Sequence, residues 1–192
     1  MRRPSRMIAH RLISPLFVCA LMSAAMGLPG AQKSAGLDFT LTDHNDAKFR
    51  LADQRGKAVL LFFGYTSCTE ACPIILSRIN SVFKQLGSDR EKAMAVFISV
   101  DPQRDTTEVL REYVKYFSSH TIALTGKKEE IDAVVKLFGA KYEIEKSDSA
   151  LGYHVSHTTD IYMIDQRGAL RSRFKHTDRA ELMAAAVRGL WE

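Results

Sequence analysis

Two of the three cysteines in this 192-residue chain, Cys68 and Cys72, stand with three residues between them in "FFGYTSCTEACP", residues 62–73. A thiolate is both a nucleophile and a soft metal ligand, so the pair opens three chemistries. It can close a structural disulfide, work as a redox couple, or bind a soft cation such as Cu(I) or Zn(II). A bridge over so short a loop removes little chain entropy and is a weak stabiliser. Redox dithiols commonly use Cys-x-x-Cys, one residue shorter than the spacing here. The location adds to the spacing: an apolar run ends at the cysteines and a helical pattern begins. Pro73 suits the first turn of a helix, where a missing N–H costs nothing. The unpaired amides and dipole of that end favour thiolates. If the segment is helical through both cysteines, their i, i+4 spacing turns both sulfurs to one side.

The elements that must hold this pair follow from hydrophobic pattern and turn chemistry. "AVLLFFGY", 58–65, and "MAVFISV", 94–100, are continuous apolar runs of strand length, as expected of buried central strands. Residues 75, 76, 79, 82, 83 and 86 repeat at a helical period, and Gly87 is the expected stop. Two short strands, roughly 38–42 and 47–51, flank the turn signal His44-Asn45-Asp46. Asp105 is placed to cap a helix, with Glu108 three residues on, and the helix is expected to follow through about Phe117. Further helices are expected over 128–139 and 178–190, the latter capped by Asp178. "KYEIE", 141–145, reads as extended, and "TTDIYMID" and "ALRSRFK" as a hairpin about "QRG". The order is ββ, β, α, β, α, α, an extended piece, ββ, α. It predicts an α/β domain with a mixed central sheet and helices on both faces, and the thioredoxin-like fold is the best-known architecture of this order.

Composition places that domain and excludes one class of partner. Four of the 27 basic residues, Arg2, Arg3, Arg6 and Arg11, fall in the first thirty positions, which hold no acid. The remaining 23 stand against 22 acidic residues, so the formal net charge of +5 shrinks to +1 for the body. A nearly neutral body gives no support for nucleic-acid binding. The Arg-rich start and the apolar stretch 12–28 predict an export signal or a retained membrane anchor over residues 1–30. Residues 31–36 read as a linker and 37–192 as the domain. The arginines mark the cytoplasmic side, which puts the domain beyond the membrane. Cys19 follows Val18, a poor lipidation pattern, and reads as a small apolar residue of the leader. Cys68 and Cys72 are then the thiols of the exported body, in a compartment that is oxidising if it is the bacterial periplasm.

The prolines bear on the choice among chemistries. All five lie at or before Pro102. Thioredoxin-like oxidoreductases usually carry a cis-proline before the third core strand, beside the dithiol. Here that neighbourhood reads "GYHVSHTTDIYMID", and His157 stands where the proline is expected. An imidazole nitrogen and two sulfurs make a trigonal site suited to copper.

Three segments resemble the Sco/SenC copper-binding proteins, which are involved in assembling cytochrome c oxidase. "GYTSCTEACP" is similar to the family's Cys-x-x-x-Cys-Pro loop, and "ISVDPQRDT", 98–106, to the strand and turn that follow. "YHVSHTTDIYMIDQRG", 153–168, is similar to the segment that supplies the ligand histidine. The resemblance covers roughly 37–190. It implies a thioredoxin-like copper-binding domain in which Cys68, Cys72 and His157 bind one copper ion per chain, as Cu(I), Cu(II) or both. The implied role is that of a metallochaperone that delivers copper to the binuclear copper centre of the oxidase, reduces that centre's cysteines, or both. The implied partners are the copper-accepting oxidase subunit and other periplasmic copper chaperones or thiol reductases. The implied place is the periplasm, soluble or anchored to the inner membrane, or the mitochondrial intermembrane space in a eukaryote. This chain departs from the common pattern at Thr69, Glu70 and Ser156, where many members carry proline, aspartate and aspartate. The alternative is a thiol–disulfide oxidoreductase acting through Cys68 and Cys72 as a redox-active disulfide. A peroxiredoxin-like peroxidase is weaker still, because its Pro-x-x-x-Thr/Ser-x-x-Cys arrangement is absent around Cys68.

Other residues have plainer expectations. His154, an odd number of positions from His157, should point to the opposite face of an extended segment. His44, His120 and His176 are expected to be solvated. Met94, Met163 and Met183 should fill core. Asp101 and Asp105 should form a turn and cap a helix. Phe62 and Phe63 should be core, and Tyr65 is placed to rim the site.

Overall fold

The computed structural model describes residues 36–117, 120–147 and 152–192. The expected leader, including Cys19, and linker positions 31–35 lie outside the described residues. No helix among the described residues is long and apolar enough to cross a membrane.

The centre of the domain is β3 (Ala58–Gly64) paired in parallel with β4 (Ala93–Ser99), and every residue of both strands is buried. That explains their unbroken apolar runs, since a strand covered on both faces has no polar side to alternate with. On one side β3 pairs antiparallel with β8 (Ile161–Ile164), which continues into β9 (Leu170–Phe174). The turn between β8 and β9 is held by Asp165, whose Oδ1 accepts from the N–H groups of Arg167 and Ala169 at 2.9 and 2.8 Å. On the other side β4 pairs in parallel with β5 (Thr121–Thr125). β5 in turn pairs antiparallel with β1 (Thr40–Asp43), whose hairpin partner is β2 (Lys48–Arg50). The seven-stranded order is β2-β1-β5-β4-β3-β8-β9.

Helices cover both faces, as expected. Leu60 and Phe62 of β3 pack with the apolar stripes of α1 (Ala71–Leu86) and α4 (Ala180–Arg188) and with Leu110 of α2 (Thr107–Val114). Val59, Leu61 and Phe63 face the opposite core, with Ile131, Val134 and Val135 of α3 (Lys128–Leu137). α1 stops at Gly87, which takes φ 62°, a region that favours glycine. This is the thioredoxin-like arrangement.

The sequence reading departs from the structure at four places. β5 was not anticipated. "TIALT" has little apolar patterning of its own, and it is a strand because β4 and β1 supply partners on both sides. α2 begins one residue later than an Asp105 cap would place it, with Thr106 as the cap accepting from Val109 N–H, and ends at Val114, short of Phe117. α4 is preceded by Arg179, while the Asp178 carboxylate accepts from Lys175 N–H at 2.7 Å in the turn before it. Finally, the extended piece is β6 (Tyr142–Lys146), which pairs antiparallel with β7 (Tyr153–His157). These two strands form a separate two-stranded sheet with no ladder to the large one.

Candidate metal centre

β3 ends at Gly64, and the chain turns before α1 begins at Ala71. Cys68 lies in this turn, its N–H donating to Tyr65 C=O at 3.1 Å, and Cys72 lies in the first turn of α1. The helical segment therefore covers only one of the two cysteines. Both are free thiols, Cys72 fully buried and Cys68 partly so. The helix start sits very close to the strand end. A Cβ on Gly64 would meet Cys72 Sγ at 2.4 Å and Phe97 Cε2 at 2.9 Å, so this approach requires glycine.

His157, the last residue of β7, comes to the same place from 85 residues further along the chain. Its Nε2 is 3.7 Å from Cys72 Sγ. Its Nδ1 lies 3.0 Å from Thr158 C=O, a partner that fixes the Nδ1–H tautomer and leaves the Nε2 lone pair for a ligand. Donor atoms of Cys68, Cys72 and His157 all lie within 4.8 Å of one another. The Tyr65 ring meets the imidazole edge to face, with centroids 5.8 Å apart, and its hydroxyl accepts from Val155 N–H at 3.4 Å. Tyr65 is itself buried and walls the site, as its position suggested.

The two thiols share a proton unequally. Hydrogen bonding from the Cys72 thiol holds Cys68 far below the ordinary thiol range; burial opposes this, and the N–H groups of Cys72 and Glu70 reinforce it. The same bond, together with burial, pushes Cys72 up. Cys68 is the thiolate and Cys72 keeps the proton until a cation or an electrophile displaces it. Two sulfurs and one imidazole nitrogen within reach of a common point fit a soft, three-coordinate cation. A groove of about 730 Å³ beside His157, lined by Asp132, Val135, Lys136, Lys141 and Ser156, opens the imidazole side to solvent.

One expectation about the acids is corrected and the other holds. Asp105 does not cap α2. It is fully buried, and its carboxylate accepts from Thr66 N–H at 2.9 Å, Thr66 Oγ1 at 2.6 Å and Ser99 Oγ at 2.6 Å, which pins the cysteine loop. Burial raises its pKa despite these bonds. Asp101 is in a turn, but it is buried as well, paired to Arg104 and accepting from Tyr153 Oη at 2.8 Å. The signal for both was their place in "SVDPQRDT" between a buried strand and a helix; Arg104 and Ser99 are local partners, but Tyr153 and Thr66 are 52 and 39 residues away.

The bystanders mostly behave as expected. His154 is exposed on the opposite face and pairs with Glu145 at 3.0 Å. Met94, Met163 and Met183 fill core, and Phe62 and Phe63 are fully buried. The remaining histidines are less solvated than their surroundings suggested. His120 packs on Phe83 with centroids 5.2 Å apart, His44 Nδ1 accepts from Ala123 N–H at 3.3 Å, and His176 Nδ1 lies 3.0 Å from Thr159 Oγ1.

Comparison with known proteins agrees with this geometry. A family model described as SCO1/SenC matches residues 29–192. An SCO2-like protein of Rickettsia prowazekii (strain Madrid E) is 37% identical over 140 residues, covering 72% of this chain and 68% of its own. The human protein SCO1 homolog, mitochondrial, is 33% identical over 154 residues, covering 79% of this chain and 51% of its own. The solved structure of Bradyrhizobium japonicum ScoI with copper bound is similar with a TM-score of 0.74 at 34% identity, covering 82% of this chain and 99% of that one. With a family model matched along nearly the whole described domain, and relatives above 30% identity over most of it, the chain belongs to the SCO1/SenC family.

Proposed function

We propose that this protein is a copper-binding assembly factor that holds one copper ion through Cys68, Cys72 and His157. It delivers that ion to the binuclear copper centre of cytochrome c oxidase. The observation that carries the proposal is the convergence of two sulfurs and one imidazole within 4.8 Å, with the Nε2 lone pair oriented by Thr158. Soft donors favour Cu(I), and a site with one thiolate already formed binds it with release of a single thiol proton. The open groove beside His157 suits transfer, which requires an acceptor's thiolates to reach the site. The domain works on the far side of the membrane from the N-terminal arginines: the periplasm, free or anchored, or the intermembrane space of a mitochondrion.

A second activity is favoured by the Cys68 thiolate itself. It attacks one sulfur of a partner disulfide, forming a mixed disulfide and expelling the partner's other thiolate. Cys72 then loses its proton and attacks Cys68 Sγ. That step expels the second partner thiolate and leaves a Cys68–Cys72 disulfide. Two electrons pass to the partner, and a thiol reductase restores this protein's dithiol. The disulfide form lacks both thiolate donors, so redox state gates metal binding.

The test is a Cu(I) titration of the reduced protein against a chromophoric chelator, with His157→Ala alongside. One tight copper per chain, weakened at least tenfold in His157→Ala, is expected. Stoichiometry near zero, with disulfide exchange intact, would leave only the reductase reading standing.

A further inference from the structure

The metal-ligand reading assigns no role to "DPQRD", residues 101–105, yet this turn reaches both halves of the site. At one end Asp105 takes the N–H and hydroxyl of Thr66 and so holds the cysteine loop. At the other end Asp101 pairs with Arg104, and together they grip Tyr153 of β7. Asp101 accepts the Tyr153 hydroxyl at 2.8 Å, Arg104 Nη1 donates to Tyr153 C=O at 3.1 Å, and the guanidinium lies 3.7 Å over the Tyr153 ring. The same guanidinium is 5.6 Å from the Tyr65 ring, which abuts the imidazole.

This grip matters because of where it acts. The β6–β7 pair has no ladder to the main sheet, so side chains place it. Tyr153, Val155 and His157 alternate onto one face of β7, toward the body, while His154 and Ser156 face out. Tyr153 thus anchors the strand that ends in the imidazole, about 13 Å away at roughly 3.3 Å per residue. Two further ties hold the pair: Val155, buried in the core, donates its N–H to Tyr65 Oη at 3.4 Å, and Tyr142 Oη meets Asp132 at 2.6 Å on a carboxylate that is 43% exposed, whereas the Asp101 carboxylate is 1% exposed.

We propose that Asp101 and Arg104 are positioning residues for the metal site. By clamping Tyr153 they set His157 against Cys72, and Asp105 on the same turn sets the cysteine loop, so one turn registers both sets of donors. This rests on the proposed reading that Cys68, Cys72 and His157 bind copper.

The experiment is a double-mutant cycle on the full chain, reading Cu(I) affinity by chelator competition and imidazole scattering by X-ray absorption. Arg104→Ala should weaken affinity by about 10–100-fold, the usual effect of losing a ligand's orienting partner, and should reduce imidazole scattering. In a His157→Ala background the same change should cost less than about threefold, because its effect passes through the histidine. Arg104→Ala leaves a buried carboxylate unpaired, so Tyr153→Phe, which keeps the ring and loses one hydrogen bond, is measured too. About fivefold is expected for it, again only with His157 present. Equal losses in both backgrounds, or undiminished imidazole scattering, overturn the clamp. If His157→Ala binds copper as the parent does, the copper-site reading has failed first, and the clamp fails with it.

Discussion

Gly64→Ala is a single methyl placed where strand, helix and thiol meet. The new Cβ would lie 2.4 Å from Cys72 Sγ and 2.9 Å from Phe97 Cε2. Carbon prefers about 3.5–4.0 Å to such atoms, so the sulfur must retreat by more than about 1 Å. There is no room for it: Cys72 and Phe97 are fully buried, and Phe97 is stacked on Phe62 with centroids 5.1 Å apart. Overpacking of this kind costs about 1–3 kcal/mol, roughly a 5- to 150-fold fall in the folded-to-unfolded ratio. The displacement also moves Sγ from its 3.7 Å relation to His157 Nε2, so copper affinity should fall with stability. Urea unfolding followed by the single tryptophan, Trp191, measures the first, and chelator competition the second. In a Cys72→Ala background only the Phe97 contact stays close, so the stability cost should fall by about half or more. A Gly64→Ala protein within about 0.5 kcal/mol of the parent and with unchanged copper affinity would refute the packing argument.

Three further outcomes follow from the same geometry. Cys68, partly exposed and held as thiolate, should react with iodoacetamide at pH 6 far faster than buried, protonated Cys72, and peptide mass spectrometry should find the label on Cys68; equal labelling contradicts the shared-proton assignment. Thr66→Val removes a hydroxyl donor from buried Asp105 and should destabilise the domain by about 1–3 kcal/mol in urea; an unchanged unfolding midpoint would show that Ser99 and the Thr66 N–H suffice to hold the carboxylate and refute the assignment. Burial raises the Asp105 pKa in the native state, so the native state holds that proton longer. The stability it contributes is present below the ordinary carboxyl value, about 4, and declines as pH rises through the native one. Relative to Asp105→Asn, the parent should therefore lose stability as pH rises from about 4, and a difference that grows in the opposite sense removes the assignment.

What was legible in the sequence depended on how local each determinant is. β3 and β4 announce themselves because burial on both faces leaves an unbroken apolar run. The cysteine pair is equally local, marked by a strand end, a spacing and Pro73. β5 is hidden because "TIALT" is made a strand by its neighbours, and Thr121 and Thr125 give no apolar pattern to read. Asp105 looked like a helix cap because Glu108 follows it; what decides its role is Thr66, 39 residues away, and no local rule reports that. His120 is similar, since its packing partner Phe83 lies in another element. His157 was found by its place before a core strand where a proline was missing, a topological signal and not a local one.

The burial gradient across the three donors has a kinetic consequence. Cys72 has no exposed surface, Cys68 is partly exposed, and the imidazole borders an open groove. Under the copper-transfer reading an incoming thiolate would meet the imidazole or Cys68 first, and would reach buried Cys72 only after one of them had let go. The handover then has a built-in order, with Cys72 as the last tether. Its departure, slowed by the packing of Gly64 and Phe97 around it, guards the ion against premature loss to bulk chelators.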